Sequence, residues 1–189
     1  MHDALAYVDI PYIIKDYSMN RRPLRFVTRE EEWELIQRLD AVVDSTDFHP
    51  LTTAVIMASP DYSATFAMHL AHSWSRAGEM LPIIPVDVTY PDEEATPYIQ
   101  AMRAQKPQIT QYKRLVLVEA GIIRGGNWEW MLNILTDEWG YDRSQVTLVA
   151  AMENVHSRVK SDYVGKYYDD NKEELMFYFE KYNKHWPIR

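Results

Sequence analysis

The sequence predicts one α/β domain, a three-layer sandwich whose central sheet is mainly parallel and twisted. Three observations predict it. Short apolar runs of strand length alternate with segments whose apolar residues recur at helical spacing. Turn residues punctuate these segments, and no repeat, low-complexity tract or linker marks a domain boundary. The 189 residues are enough for a single full core. One unit is therefore expected over 1–189: an N-terminal extension with a helix over 1–50, a core over 53–168 and a C-terminal helix over 169–189.

The elements follow in order. Thr28 followed by Glu31 forms a capping box, opening a helix with Trp33, Ile36, Leu39, Val42 and Val43 on one face. Thr53 to Ala58 is a buried strand. Ser59-Pro60-Asp61-Tyr62-Ser63 reads as a loop whose Ser-Pro bond can be cis, leading to a helix with Phe66, Ala67, Leu70, Ala71 and Trp74 inward and Gly78 at its end. Ile83 to Tyr90 alternates as a strand, weakened at one edge by Pro82 and Pro85. Pro91 to Lys113 is polar, with one short helix near Tyr98 to Ala104. Leu115 to Val118 is a strand, and Trp128 to Trp139 a helix with Met131, Leu132 and Leu135 inward, closed by Gly140. Gln145 to Met152 is a strand, and Lys172 to Tyr182 a final helix with Leu175, Phe179 and Tyr182 on its apolar stripe.

Composition narrows the function. A net charge of -8 repels nucleic acid and anionic membrane surfaces, so neither is an expected partner. The absence of cysteine excludes disulfides, thiolate metal sites and a cysteine nucleophile. No apolar run approaches the ~20 residues of a spanning helix, and the N-terminus lacks the pattern of a signal peptide. A cytoplasmic protein is expected. The 13 Tyr and 6 Trp, spread along the chain, suit a core and a subunit interface better than a base-stacking surface.

The most informative stretch is Arg114 to Trp128, RLVLVEAGIIRGGNW. An apolar strand feeds a glycine-containing turn, and Asn127 reads as the cap of the helix beyond. Such a turn directs backbone N–H groups and the positive end of a helix dipole at a phosphate, and Arg124 adds a cation suited to bidentate pairing. The spacing is that of neither a Walker loop nor a dinucleotide fold. The competing reading is a plain tight turn with a surface arginine; phosphate binding is taken ahead of it. Ligands in parallel sheets bind beyond the carboxyl ends of the strands, where the segments after Ala58, Tyr90, Val118 and Met152 would meet. Other candidates have bland readings that prevail: His69 and His72 as an exposed helix face, Asp92-Glu93-Glu94 as a solvated loop, Arg21, Arg22 and Arg25 as a surface patch.

The order of these parts resembles the type I phosphoribosyltransferases, most nearly the hypoxanthine-guanine class. There a hydrophobic strand ends in two acids and a Thr-Gly-x-Thr loop holds the 5-phosphate of phosphoribosyl pyrophosphate. Here Leu115 to Val118 match the strand, Glu119 the first acid and Gly125 the loop glycine, with Asn127 where a threonine would close the loop. Val146 to Val149 and then Val159 to Gly165 (VKSDYVG) keep the order of a strand and a Lys-Pro-Asp-Phe/Tyr-Val-Gly segment. Thr53 to Ala71 resembles the strand, pyrophosphate loop and helix that come first, and Pro91 to Lys113 the loop that closes over the site.

The resemblance spans Thr53 to Tyr168 and implies roles. Arg124, Gly125, Gly126 and Asn127 would hold a phosphate, and Ser59, Pro60, Asp61 and Tyr62 a pyrophosphate. Lys160, Tyr163 and Val164 would lie on the base side, and Glu119 would bind Mg²⁺. The ligand would be phosphoribosyl pyrophosphate or a nucleotide, and the protein a homodimer. Departures bear on catalysis. Ala120 replaces the second acid, which contacts the ribose hydroxyls; Ile123 replaces the acid proposed as base; Arg124 replaces a threonine; Ala151 stands where a lysine would read the 6-oxo group. An apolar side chain supplies neither proton acceptor nor hydrogen bond. Three readings stay open: transfer of phosphoribosyl to a nucleobase, an inactive nucleotide- or phosphate-binding relative with a regulatory or assembly role, and a different α/β enzyme using the same sheet edge.

Overall fold

In the computed structural model, which describes residues 24–75, 79–86, 96–172 and 174–177, the apolar runs assemble into one parallel sheet. Its strands are β2 (Thr53–Ala58), β3 (Ile83–Val86), β4 (Arg114–Ile122), β5 (Val146–Asn154) and β6 (Tyr163–Tyr168), in the order β3-β2-β4-β5-β6. A separate pair joins β1 (Leu24–Val27) to β7 (Glu174–Phe177), also parallel. The helices are α1 (Arg29–Val42), α2 (Pro60–Ser73), α3 (Thr96–Ala104), α4 (Lys106–Ile109) and α5 (Gly126–Asn133). α5 runs on as a π-helical turn, Ile134–Glu138.

Alternation along β4 builds the layers. Val116, Val118 and Ala120 join one core with Leu35, Ile36 and Leu39 of α1 and Phe66, Ala67 and Leu70 of α2. Leu115 and Leu117 join the other with Met102 of α3, Ile109 of α4, and Trp128 and Met131 of α5. Successive side chains on a strand point to opposite faces, so β4 is buried on both sides and its apolar run is unbroken. The expected three-layer α/β architecture is the one observed.

Local signals explain the element ends. The Thr28 hydroxyl accepts from the Glu31 amide at 3.2 Å and starts α1. Gly140, at φ +79, ends the α5 segment. β4 and β5 run beyond the expected strands, to Ile122 and Asn154, because they pair with each other as far as Ile122 and Glu153.

Several expectations are corrected. Trp33 and Val42 of α1 are half exposed, while Ile36, Leu39 and Val43 are buried as expected, with Leu35 beside them. α2 begins at Pro60, so Ser59–Ser63 is a helix start and not a loop, and no peptide bond among the described residues is cis. The Pro91–Lys113 segment, expected as a loop closing over the site, carries α3 and α4, with Met102 and Ile109 wholly buried against the sheet. Residues 174–177 form a strand where the Lys172–Tyr182 helix was expected, because β1 supplies a pairing edge that local periodicity does not reveal. Gly78, Val88, Tyr90, the Asp92–Glu94 triplet, Arg21 and Arg22 lie outside the described residues, as do 178–189.

Candidate functional site

The carboxyl edge of the sheet gathers the ends of β2, β4 and β5. At the end of β2, Ser59 takes a left-handed conformation, φ 50 and ψ 73, rare for a residue with a side chain. Its N–H donates to the Val86 carbonyl at 3.0 Å, tying β2 to β3 at the edge. This strained serine faces β4: its hydroxyl donates to Glu119 Oε2 at 3.1 Å, and the Ser63 hydroxyl donates to Oε1 at 2.8 Å. The Ala120 amide donates to Ser63 Oγ at 3.1 Å. Glu119, 3% exposed, is thus a buried clamp between β4 and the start of α2.

That geometry bears on the expected Mg²⁺ role of Glu119. A divalent cation of this kind needs several hard oxygen ligands. Here both carboxylate oxygens already accept from serines, and no group of three or more His, Asp or Glu among the described residues is placed to hold a metal. The donor set does not fit a metal held by this carboxylate.

Beyond β4, Ile123 and Arg124 are exposed, Gly125 is buried, and Gly126 and Asn127 are half-buried. Gly125 has φ +78 and is itself the N-cap of α5, so Asn127 sits in the first turn of the helix and is not its cap. The reason is steric. A Cβ on Gly125 would lie 2.6 Å from Ser157 Oγ and 2.8 Å from the Val159 nitrogen, so only glycine fits this bend. The turn is therefore closed towards the Ser157–Val159 loop and open at Arg124, Gly126 and Asn127. As at any helix start, the amides of Gly126, Asn127 and Trp128 have no intrahelical acceptor.

The loop after β5 holds the turn. Asn154, 1% exposed, donates from Nδ2 to the Ile123 carbonyl at 2.9 Å and accepts at Oδ1 from the His156 amide at 3.1 Å. The Arg158 amide donates to the Arg124 carbonyl at 3.2 Å. Beneath, Trp128 Nε1 donates to Ser161 Oγ at 2.9 Å and the Ser161 amide to Glu153 Oε2 at 2.8 Å. Asn154, Ser157 and Arg158 were missed in the sequence. The available signal was the polar pair Glu153-Asn154 closing an otherwise apolar strand.

The structure brings Arg124, Gly125, Gly126 and Asn127 together, with Ser59 and Pro60 on the same edge; the Asp61 and Tyr62 side chains lie outside the described residues. Of the base-side residues, it leaves Tyr163 and Val164 away from that edge and places Lys160 on the loop after β5. Tyr163 and Val164 pair with Val149 and Ala150, well below the strand ends, because Asp162 accepts from the Leu148 amide at 2.8 Å and fixes the register. Lys160 is occupied: Nζ donates to the carbonyls of Asn154 at 3.2 Å and Val155 at 3.0 Å. It also lies 3.3 Å from Glu153 Oε1 as an ion pair without hydrogen-bond geometry. His69 stacks edge-on against Trp33, with ring centres 5.3 Å apart, and Arg25 pairs with Glu31. No helix among the described residues is long and apolar enough to cross a membrane.

No protein-family model and no curated protein sequence matches the chain. Solved structures do. The chain is similar to a purine phosphoribosyltransferase from Pyrococcus horikoshii Ot3, at 12% identity and TM-score 0.56, over 82% of this chain and 91% of that one. It is similar to a xanthine-guanine-hypoxanthine phosphoribosyltransferase from Helicobacter pylori, at 12% identity and TM-score 0.51, over 83% and 93%. A third similar structure, from Neisseria gonorrhoeae with bound ppGpp, has 14% identity and TM-score 0.57, over 84% and 90%. At such identities the likeness concerns the fold and not the activity. The chain has a type I phosphoribosyltransferase-like α/β fold.

Proposed function

We propose that this protein binds a phosphate-bearing ligand of the nucleotide type, phosphoribosyl pyrophosphate or a nucleotide, as a regulatory or assembly member of its fold. The observation that carries the reading is the exposed Arg124 beside the first-turn amides of α5, at the end of the central strand. Peptide dipoles and a fixed guanidinium act on the same oxygens there. Ile123, 57% exposed, and Val155, 45% exposed, are joined through Asn154 at the same rim and offer apolar surface to a sugar or base. The similar fold from Neisseria gonorrhoeae, with its bound ppGpp, supports a nucleotide as the ligand class.

The test is calorimetry of the wild-type chain and Arg124→Ala with phosphoribosyl pyrophosphate and with a nucleoside monophosphate. Binding in the micromolar-to-millimolar range is expected for wild type, weakened at least ~10-fold in the variant through loss of a charge-assisted contact. Equal titrations of the two proteins would reject the assignment.

Phosphoribosyl transfer is the second reading, favoured by the convergence of the β2 and β4 ends on one edge. The buried, serine-bound Glu119 and the apolar Ala120 and Ile123 weigh against it. Pyrophosphate release from phosphoribosyl pyrophosphate with a panel of bases separates the two, and turnover on any base favours transfer. Cytoplasmic location, expected from the sequence, and a homodimer, expected from the resemblance and the aromatic content, belong to the proposal; sedimentation analysis checks the dimer.

A further inference from the structure

The described arginines divide into two groups. Arg25 pairs with Glu31, Arg38 donates to the Gly165 carbonyl, Arg103 pairs with Glu138, Arg114 with Asp47 and Arg143 with Asp162. Arg29, Arg124 and Arg158 have no side-chain acceptor among the described residues, and the last two are neighbours. Their backbones are bonded, Arg158 N to Arg124 O at 3.2 Å, and both residues are exposed. The backbone bond roots two arginines without a counter-charge at one turn, and an anion that both guanidinium groups reach would offset their like charge. In a chain of net charge -8 this is a local choice and not the overflow of a basic surface.

The loop that carries Arg158 is fixed from both sides. Asn154 anchors it to Ile123, the Ser157 hydroxyl donates to the Val159 carbonyl at 2.7 Å, and Lys160 caps the Asn154 and Val155 carbonyls. Lys160 spends its own charge on Glu153, so the second cation of this edge is Arg158. A preformed loop loses little entropy when it meets a ligand. One guanidinium fork and the helix amides can serve one phosphate, which leaves the second guanidinium able to pair with a second set of anionic oxygens.

We infer that Arg158 is a specificity-determining residue that makes the Arg124 turn a site for two linked phosphates, as in a nucleoside diphosphate or free pyrophosphate, in preference to one. The inference rests on the site proposed above. It is tested by calorimetry of the full chain with inorganic phosphate and with inorganic pyrophosphate, for wild type, Arg158→Ala, Arg158→Gln and Arg124→Ala. The glutamine variant keeps length and hydrogen bonding without charge, and circular dichroism verifies that each variant folds. Wild type is expected to prefer pyrophosphate by about ten-fold, the scale of one charge-assisted contact. Both Arg158 variants should fall to near parity while keeping their phosphate affinity. An unchanged ratio in the Arg158 variants, or no preference in wild type, overturns the inference. If those variants behave as wild type while Arg124→Ala loses both anions, the inference fails and the proposed site stands. If wild type binds neither anion, both fail.

Discussion

Gly125 and Glu119 show how single residues set this edge. Gly125 and Gly140 share a left-handed φ, +78 and +79, but only Gly125 is crowded, by Ser157 and Val159. Gly140→Ala should therefore cost about 1 kcal/mol, the strain alone. Gly125→Ala should cost about 2–4 kcal/mol, because the loop must also move. Urea denaturation of both variants measures the difference; equal losses would show that the Ser157–Val159 loop yields freely. Glu119→Ala should destabilise by roughly 3 kcal/mol, since two serine hydroxyls and the Ala120 amide lose a buried acceptor. A loss below about 1 kcal/mol would show that the carboxylate is not a structural clamp. The sequence singled out both residues, and the resemblance gave Glu119 an expected Mg²⁺ role; only the fold places Ser59 and Ser63 against it.

At the scale of elements, Glu31 ties α1 to β1 and β6 through Arg25 and Lys166. Desolvation pushes its carboxyl upward, but the hydrogen bond from Lys166 and the charges of Arg25 and Lys166 outweigh it and hold it below the ordinary glutamate value. A carboxyl depressed in the folded state binds its proton more readily when unfolded. Its contribution is therefore fully present above the unfolded value and lost as pH falls through the folded one. Wild type should melt higher than Glu31→Gln near neutral pH, and the gap should close as pH falls below 4.5. A gap independent of pH would rule out the charge as its cause. Sequence reading found the strand β2 and the helix that follows it because apolar period and length agree there. It placed Ile36, Leu39 and Val43 on the buried stripe of α1 but also Trp33, which is apolar yet stacks on His69 at the surface. It missed β7, whose strand state depends on a partner 150 residues earlier in the paired register Leu24 with Glu174.

For the whole molecule, a ligand at the sheet edge should raise the melting temperature, because it binds the folded chain alone. At a hundred times its Kd the gain is about 2.7 kcal/mol. Thermal shift with pyrophosphate should show it, and added salt should reduce it where the contacts are exposed arginines. No shift at saturating concentration would contradict a folded-state anion site. The sequence by itself determined the layered architecture, since strand runs of unbroken apolar character can be satisfied only by a sheet covered on both faces. It also determined the place of the β4–α5 turn, because glycine at a left-handed bend leaves few alternatives. The tertiary structure alone decided what surrounds that turn. Asn154, Ser157 and Arg158 reach it from over 30 residues away in the chain, while Tyr163 and Val164 are drawn into sheet pairing and Lys160 donates to the Asn154 and Val155 carbonyls. Periodicity is a local property of the chain; which polar groups meet at a sheet edge follows from register and burial, which no local pattern encodes.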